Sequence, residues 1–184
     1  MNRLKQLLTL LRYALIFPFV RLTDEKFQKD LARWKRIHHL TGSDHRAIAT
    51  LLWFFPEFRN LLLYRNNGRH FFCAWVKLIY HPMDTLYIQT PQIGGGLFIQ
   101  HGFATMISAE SIGENCWINQ QVTIGYSGPG RPPIIGDNVM VTCGAKVLGS
   151  ITVGDNAIIA ANAVVIRDVE ANATMGGIPA HKIK

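Results

Sequence analysis

Few side chains in the second half of this chain can carry a proton, and they are unevenly placed. After Pro91 the histidines are His101 and His181. His101 stands in the run Leu97-Phe98-Ile99-Gln100-His101-Gly102-Phe103, where an apolar stretch breaks at the imidazole and its glycine. Neutral imidazole accepts a proton at physiological pH, so this side chain is equipped for acid–base chemistry. A catalytic zinc needs three protein ligands, which two histidines do not supply, so metal chemistry is disfavoured and no metal is expected. The three cysteines, Cys73, Cys116 and Cys143, are odd in number and irregularly spaced, which signals neither a disulfide framework nor a zinc site. A reducing cytoplasm fits them. Cys143 falls where a small packing residue is wanted and is read as packing.

The element that must position His101 is a repeat. A branched aliphatic residue recurs every sixth position at Ile135, Val141, Val147, Val153, Ile159 and Val165, with a second apolar or small residue four positions after each. A six-residue period fits neither a helix nor a long flat strand, and it is a signature of parallel β-helices. Reading backwards gives Ile124, Ile118, Ile112, Thr105, Ile99 and Ile93 as further anchors. Thr105 to Ile112 is seven residues, and Ile124 to Ile135 is eleven, so five residues are inserted around Gly125–Ile134. Such insertions must project as loops, because a stacked wall cannot absorb them, and loops of this kind often bear the binding face. Glycines after an anchor, Gly136 and Gly154, are expected to permit sharp corners, as are Asn115, Asn138, Asn156 and Asn162. Four turns and a closing segment Ala173–Lys184 are expected.

The first half reads differently. Helices are expected at about 4–17, ended by Pro18, at 24–40, from an N-cap at Ser43 to Phe55, at 61–65 and at 71–80. The division falls near Tyr87: residues 1–86 as an α-helical region and residues 87–184 as the coil. Met1 to Tyr80 carries fourteen basic and five acidic residues of a chain whose net charge is +7. That asymmetry points to an anionic partner of the helical half, or to solvated helix faces. No nucleic-acid motif accompanies the charge. Residues 1–22 are basic and amphipathic, interrupted by Arg12, and their uninterrupted apolar run, Tyr13 to Val20, is too short for a membrane span. They suit a helix lying on the inner membrane face or on a partner helix.

At this point the coil resembles the hexapeptide-repeat acyltransferases, nearest to the serine acetyltransferase branch and its polysaccharide O-acetyltransferase relatives. The likeness runs through IGGGLFIQHGFATMIS, IGENCWINQQVTIG, IIGDNVMVTCGAKVLGSITVGDNAIIAANAVVIRDV and the ending GGIPAHKIK, and it touches FPEFRNLLLYR. It implies a mainly β fold, a left-handed parallel β-helix with an N-terminal α-helical cap. The usual right-handed crossover would have been expected without it.

The resemblance also implies an acyltransferase that uses acetyl-CoA as co-substrate, with His101 as general base. It implies a homotrimer whose active sites lie between subunits. Gly144, Ala145, Ala160 and Ala161 would then be the small walls of a pantetheine groove, and Lys182 or Lys184 would lie near the CoA phosphates. Two departures bear on the acceptor. Where serine acetyltransferases carry an Asp before the catalytic histidine and a second histidine after the long loop, this chain has Gln100 and Pro132. The family's orienting Asp aligns near Leu86, which leaves Asp84 as a displaced substitute. Loss of those charged groups favours a neutral hydroxyl, such as that of a glycan, with Gln100, Tyr126 and Arg131 as acceptor contacts. L-serine, and a non-catalytic trimeric scaffold, are the alternatives.

Overall fold

The computed structural model describes residues 3–184, which divide into two compact units, a helical one ending at Met83 and a coil from Asp84 to Lys184. The helical unit consists of α1 (Arg3–Ala14), a single 3-10 turn at Phe17–Phe19, α2 (Glu25–Ile37), α3 (Asp44–Phe54), α4 (Pro56–Arg65) and α5 (His70–Ile79). Capping explains several boundaries. Asp24 accepts from Phe27 N (2.7 Å) and Ser43 from Arg46 N, each satisfying one of the amide groups a helix start leaves unpaired. Pro56 ends α3 and also opens α4, since a proline at the first helical position loses no hydrogen bond; α4 therefore starts five residues before the expected Leu61. Phe27, Leu31, Trp34, Leu52, Phe58 and Leu61 form the core, with Trp34 edge-on to Phe58 at 5.1 Å.

A buried ion pair, Asp30–Arg65, lies inside this unit. Arg65 Nε and a second guanidinium nitrogen donate to the two carboxylate oxygens of Asp30 at 2.7 and 3.1 Å, with side-chain exposures of 5% and 0%. Such a pair adds little over an apolar substitute, but either half alone is a buried unpaired charge.

The coil is a left-handed parallel β-solenoid of about five turns, one more than the sequence suggested. Its first face stacks β1 (Leu86–Ile88), β4 (Thr105–Ile107), β7 (Thr123–Gly125), β10 (Lys146–Leu148) and β13 (Val164–Val165). The second stacks β2 (Gln92–Ile93), β5 (Ser111–Ile112), β8 (Ile134–Ile135) and β11 (Thr152–Val153), extended by a bridge from Val153 to Val169. The third stacks β3 (Phe98–Gln100), β6 (Trp117–Asn119), β9 (Met140–Val141), β12 (Ile158–Ile159) and β14 (Thr174–Gly176). The chain end folds back as β15 (His181–Lys182), antiparallel to β14, and so closes that face. Inside runs an aliphatic column from Ile93 to Val165, no anchor of which is more than 3% exposed.

Two expectations are corrected. The anchor of the second turn is Ile107, not Thr105: Ile107 pairs with Ile88 above and Ile124 below, and Thr105 is the partner of Leu86. Ile99 to Ile107 is thus eight residues where the next coil, Ile118 to Ile124, uses six. The irregularity is two residues inserted at His101–Ala104. Nor do the glycines after anchors supply the turn. Positive φ lies instead at Asn115, Asn138, Asn156 and Asn162, between 54° and 60°. Gly136 is required because the next coil passes so close that a Cβ would meet Asp155 Oδ1 at 2.3 Å.

Replacing Asp30 by Ala strands the Arg65 guanidinium in an apolar interior. Urea unfolding followed by circular dichroism should show about 3–5 kcal/mol lost; a loss under about 1 kcal/mol would mean that the pair is not closed to water.

Candidate active site on one edge of the coil

The segments that lead from the third face to the first share one edge, because backbone hydrogen bonds tie each to the next. Gln121 N donates to Phe103 O (3.0 Å), Gly144 N to Gln120 O (3.1 Å) and Asn162 N to Cys143 O (2.9 Å). The closing segment continues this line, with Val164 N donating to Gly177 O and Ala180 N to Val164 O. His101, Gln121, Gly144 and Ala161 therefore sit on successive levels of one rail, Ala161 lying three coils, about 14 Å, from His101 at roughly 4.8 Å per coil.

His101 occupies the enlarged corner. Its backbone is left-handed at φ 64°, followed by Gly102 at 51° and Ala104 at 52°, and Phe103 N donates back to the His101 carbonyl at 2.6 Å. A non-glycine residue at such φ is uncommon, though histidine tolerates it better than most. This conformation lifts the side chain off the wall. His101 is exposed, and its imidazole makes no hydrogen bond with any of the described residues, which leaves both ring nitrogens for an incoming group.

The surroundings of His101 are polar but uncharged. Gln100 pairs with Asn119 in the next coil, and its Oε1 accepts from Trp117 Nε1 at 3.3 Å, while Trp117 packs edge-on to Phe98 at 4.6 Å. The Gln100 carbonyl oxygen is thus occupied, and the amide nitrogen is the part that can face an acceptor. Asn119 Oδ1 and Gln120 Oε1 are buried with no protein donor reaching either, an expensive state that buried acceptors rarely hold. Lys146, on β10, donates through Nζ to Gln121 O at 2.6 Å and so places a cation against the same edge. The sequence drew no attention to Asn119, Gln120 or Lys146. A legible trace was the paired glutamine at Gln120-Gln121, where the other coils turn with Asn, Gly or Ala.

Of the sequence-predicted residues, His101, Gln100, Gly144, Ala160 and Ala161 share this edge. Ala145 is corrected: its side chain is fully buried in the aliphatic column, so it cannot line a groove. Lys182 is tied to Glu170 Oε2 at 2.7 Å, and that hydrogen bond holds the Glu170 carboxyl below its usual range. Lys184 is exposed at the chain end, its carbonyl accepting from Thr174 N. Asp84 directly precedes Thr85, whose carbonyl binds Thr105 N at 3.0 Å, but its carboxylate makes no hydrogen bond to His101. Tyr126 and Arg131 lie elsewhere, on the edge between the first and second faces. There the five inserted residues form a loop pinned at Ser150, which donates to Arg131 O (2.9 Å) and accepts from Arg131 N (2.8 Å). Arg131 also approaches Glu110 at 3.7 Å. Within one chain the width of the first face separates this loop from His101.

The repeat matches a known family model, the bacterial transferase hexapeptide (six repeats), over residues 132–167. A serine acetyltransferase of Staphylococcus xylosus is 47% identical over 97 residues, covering 50% of this chain and 45% of that protein. The coil is thus similar to the hexapeptide-repeat coils of serine acetyltransferases. The chain spans about half the length of the curated relatives it matches. Among solved structures, Neisseria gonorrhoeae serine acetyltransferase in complex with serine superposes with a TM-score of 0.66 at 22% identity, covering all of this chain and 85% of that one, a likeness of fold. The Brucella abortus serine acetyltransferase complexed with coenzyme A gives a TM-score of 0.61 at 25% identity, covering 97% and 72%.

Two levels below His101 the edge depends on Gly144. Its φ is 72°, and an added Cβ would lie 2.0 Å from Asn162 Oδ1. Gly144→Ala should cost about 1–3 kcal/mol from backbone strain and the clash. Thermal unfolding of the Gly144→Ala/Asn162→Ala double variant should recover the part due to the clash, and strict additivity would show that the two do not meet.

Proposed function

We propose that this chain is an acetyl-CoA-dependent O-acetyltransferase with His101 as general base. The observation that carries the reading is an exposed imidazole, free of partners, on the same edge as a rail of small residues two and three coils further on. A rail built of Gly144, Ala160 and Ala161 leaves room for a thin flexible arm, with Lys146, Lys182 and Lys184 as cations for its phosphates.

The chemistry balances with one base. His101 takes the acceptor hydroxyl proton as the oxygen bonds to the thioester carbonyl carbon. The tetrahedral oxyanion collapses, the carbon–sulfur bond breaks, and imidazolium returns the proton to the departing thiolate. Backbone amides of the widened corner are the donors at hand for the oxyanion.

The relatives favour L-serine as acceptor over the sugar hydroxyl that the sequence suggested. A second reading rests on a specific observation: Gln100 and Pro132 bring no charge to meet an amino acid's ammonium and carboxylate, and a neutral sugar hydroxyl needs none. We place the reaction in a homotrimer, in which a neighbour's loop edge, with Tyr126 and Arg131, faces the His101 edge and completes the site. We place that assembly in the cytoplasm.

Free thiol release from acetyl-CoA, offered with L-serine and with a panel of sugars, reads both acceptors directly. His101→Ala should lower turnover by about 10²–10⁴ while the unfolding midpoint holds. Undiminished turnover in that variant would refute the base. Thiol release with a sugar and none with serine would select the second reading, and intact trimers that give no heat with CoA would make the coil a scaffold.

A further inference from the structure

The helical unit carries an apolar surface that the proposed reaction does not use. On α5, Phe72 and Val76 pack inward, whereas Phe71, Trp75 and Leu78 form a second stripe at helical spacing on the outside; Phe71 is 95% exposed and Leu78 76%. Leu4, Leu8, Leu11 and Leu15 form an outward stripe along α1 and the residue after it. The stripes meet. Leu15, Phe19, Phe71 and Trp75 line one open groove of about 820 Å³, with Arg69 and His70 at its rim.

Three contacts fix the two helices as one surface. Trp75 Nε1 donates to Leu15 O at 2.9 Å, Arg69 to Phe19 O at 2.8 Å, and Arg12 to Ile79 O. Monomeric proteins rarely expose a contiguous apolar patch of this kind. Its charge is one-sided: neither residues 3–23 nor residues 58–83 contain an Asp or Glu, and Lys5, Arg21 and Lys77 stand exposed beside the stripes. No helix among the described residues is long and apolar enough to cross a membrane, so these helices could only lie along one.

We propose that α1, the 3-10 turn and α5 together form a face that seats on an anionic lipid surface, with the α5 aromatics in the acyl boundary and the cations at the headgroups. The charge selects this occupant over a second copy of the chain, since two such faces brought together would set cation against cation. Acid-free basic helices with Leu, Phe and Trp on the opposite side are the pattern of interfacial binding, and anionic headgroups add attraction for each Lys or Arg held near the surface. The sequence placed this role in residues 1–22 alone. The structure adds α5, some fifty residues further on, as an equal half of the face.

The test uses the full chain with vesicles of phosphatidylcholine alone and with about 30% phosphatidylglycerol. Co-sedimentation with the anionic vesicles at low salt is expected, with little on the neutral ones. Phe71→Ser/Leu78→Ser and Lys5→Gln/Lys77→Gln change exposed side chains only, and each should weaken binding about tenfold or more. Failure of the wild-type chain to pellet with anionic vesicles overturns the proposal, as does pelleting that neither variant changes. A shift in solution mass by light scattering in Phe71→Ser/Leu78→Ser would assign the face to a second copy and overturn it too. None of these readouts depends on acetyl transfer.

Discussion

The stacked backbone of the coil governs the rest of the structure. Each level hydrogen-bonds to the levels above and below, so spacing along the axis is fixed and any extra residue must leave through a corner. The two insertions obey this. Two residues leave at His101–Ala104 and five in the loop before Ile134, and both corners stay in register because Ile107, Ile112 and Ile135 hold their places in the column. An inward aliphatic anchor is thus what allows an outward irregularity. The same close stacking excludes a Cβ at Gly136, where the next level leaves no space.

Chemistry then follows from conformational cost. Ordinary corners of the wall turn in the left-handed region on asparagine, or on Gln121 and Gly144 along the edge that bears His101. At the enlarged corner Ala104 takes the position that Gln121, Gly144 and Asn162 hold in the later coils, without a side chain suited to it, and His101 in the widened stretch adopts the same region. This costs on the order of 1 kcal/mol or more per residue, which the hydrogen bonds on either side must offset. Around it the buried acceptors Asn119 Oδ1 and Gln120 Oε1 lack donors. Strain and unpaired polarity thus meet on the edge that bears His101.

The repeat was legible because its period is short and its anchors are chemically uniform, and the asparagine corners followed from a known backbone preference. Thr105 was misread for a physical reason: threonine is β-branched, and here it is buried with its hydroxyl bonded to Phe103 O, so it passes for an anchor on composition while Ile107 holds the register. Ala145 was misread because small residues look alike in sequence whether they line a groove or fill a column. His101 stood out, but its partners did not. Asn119 and Lys146 reach the edge only through pairing between levels, which spacing along the chain does not encode. Exposure of Phe71, Trp75 and Leu78 was equally hidden, since α5 is apolar on two sides and the sequence does not say which is covered.

The distribution of charge places a demand on the coil that its fold alone does not meet. Up to Tyr80 there are fourteen basic and five acidic residues, whereas after it there are five basic and seven acidic. A coil of slightly negative balance offers no long-range field to draw in an anionic nucleotide, so the affinity for CoA that the proposed reaction needs would have to come from cations placed at contact range. Three of its five stand on the edge that bears His101 or in the segment closing the coil, and two of these are held by neighbours: Lys146 by the Gln121 carbonyl, Lys182 by Glu170. Exposed pairs of this strength are exchanged for a phosphate at little cost. On the proposed reaction, the acyl donor would be recognised by shape along the rail and by a few local charges, while the basic excess of the chain lies in the helical unit.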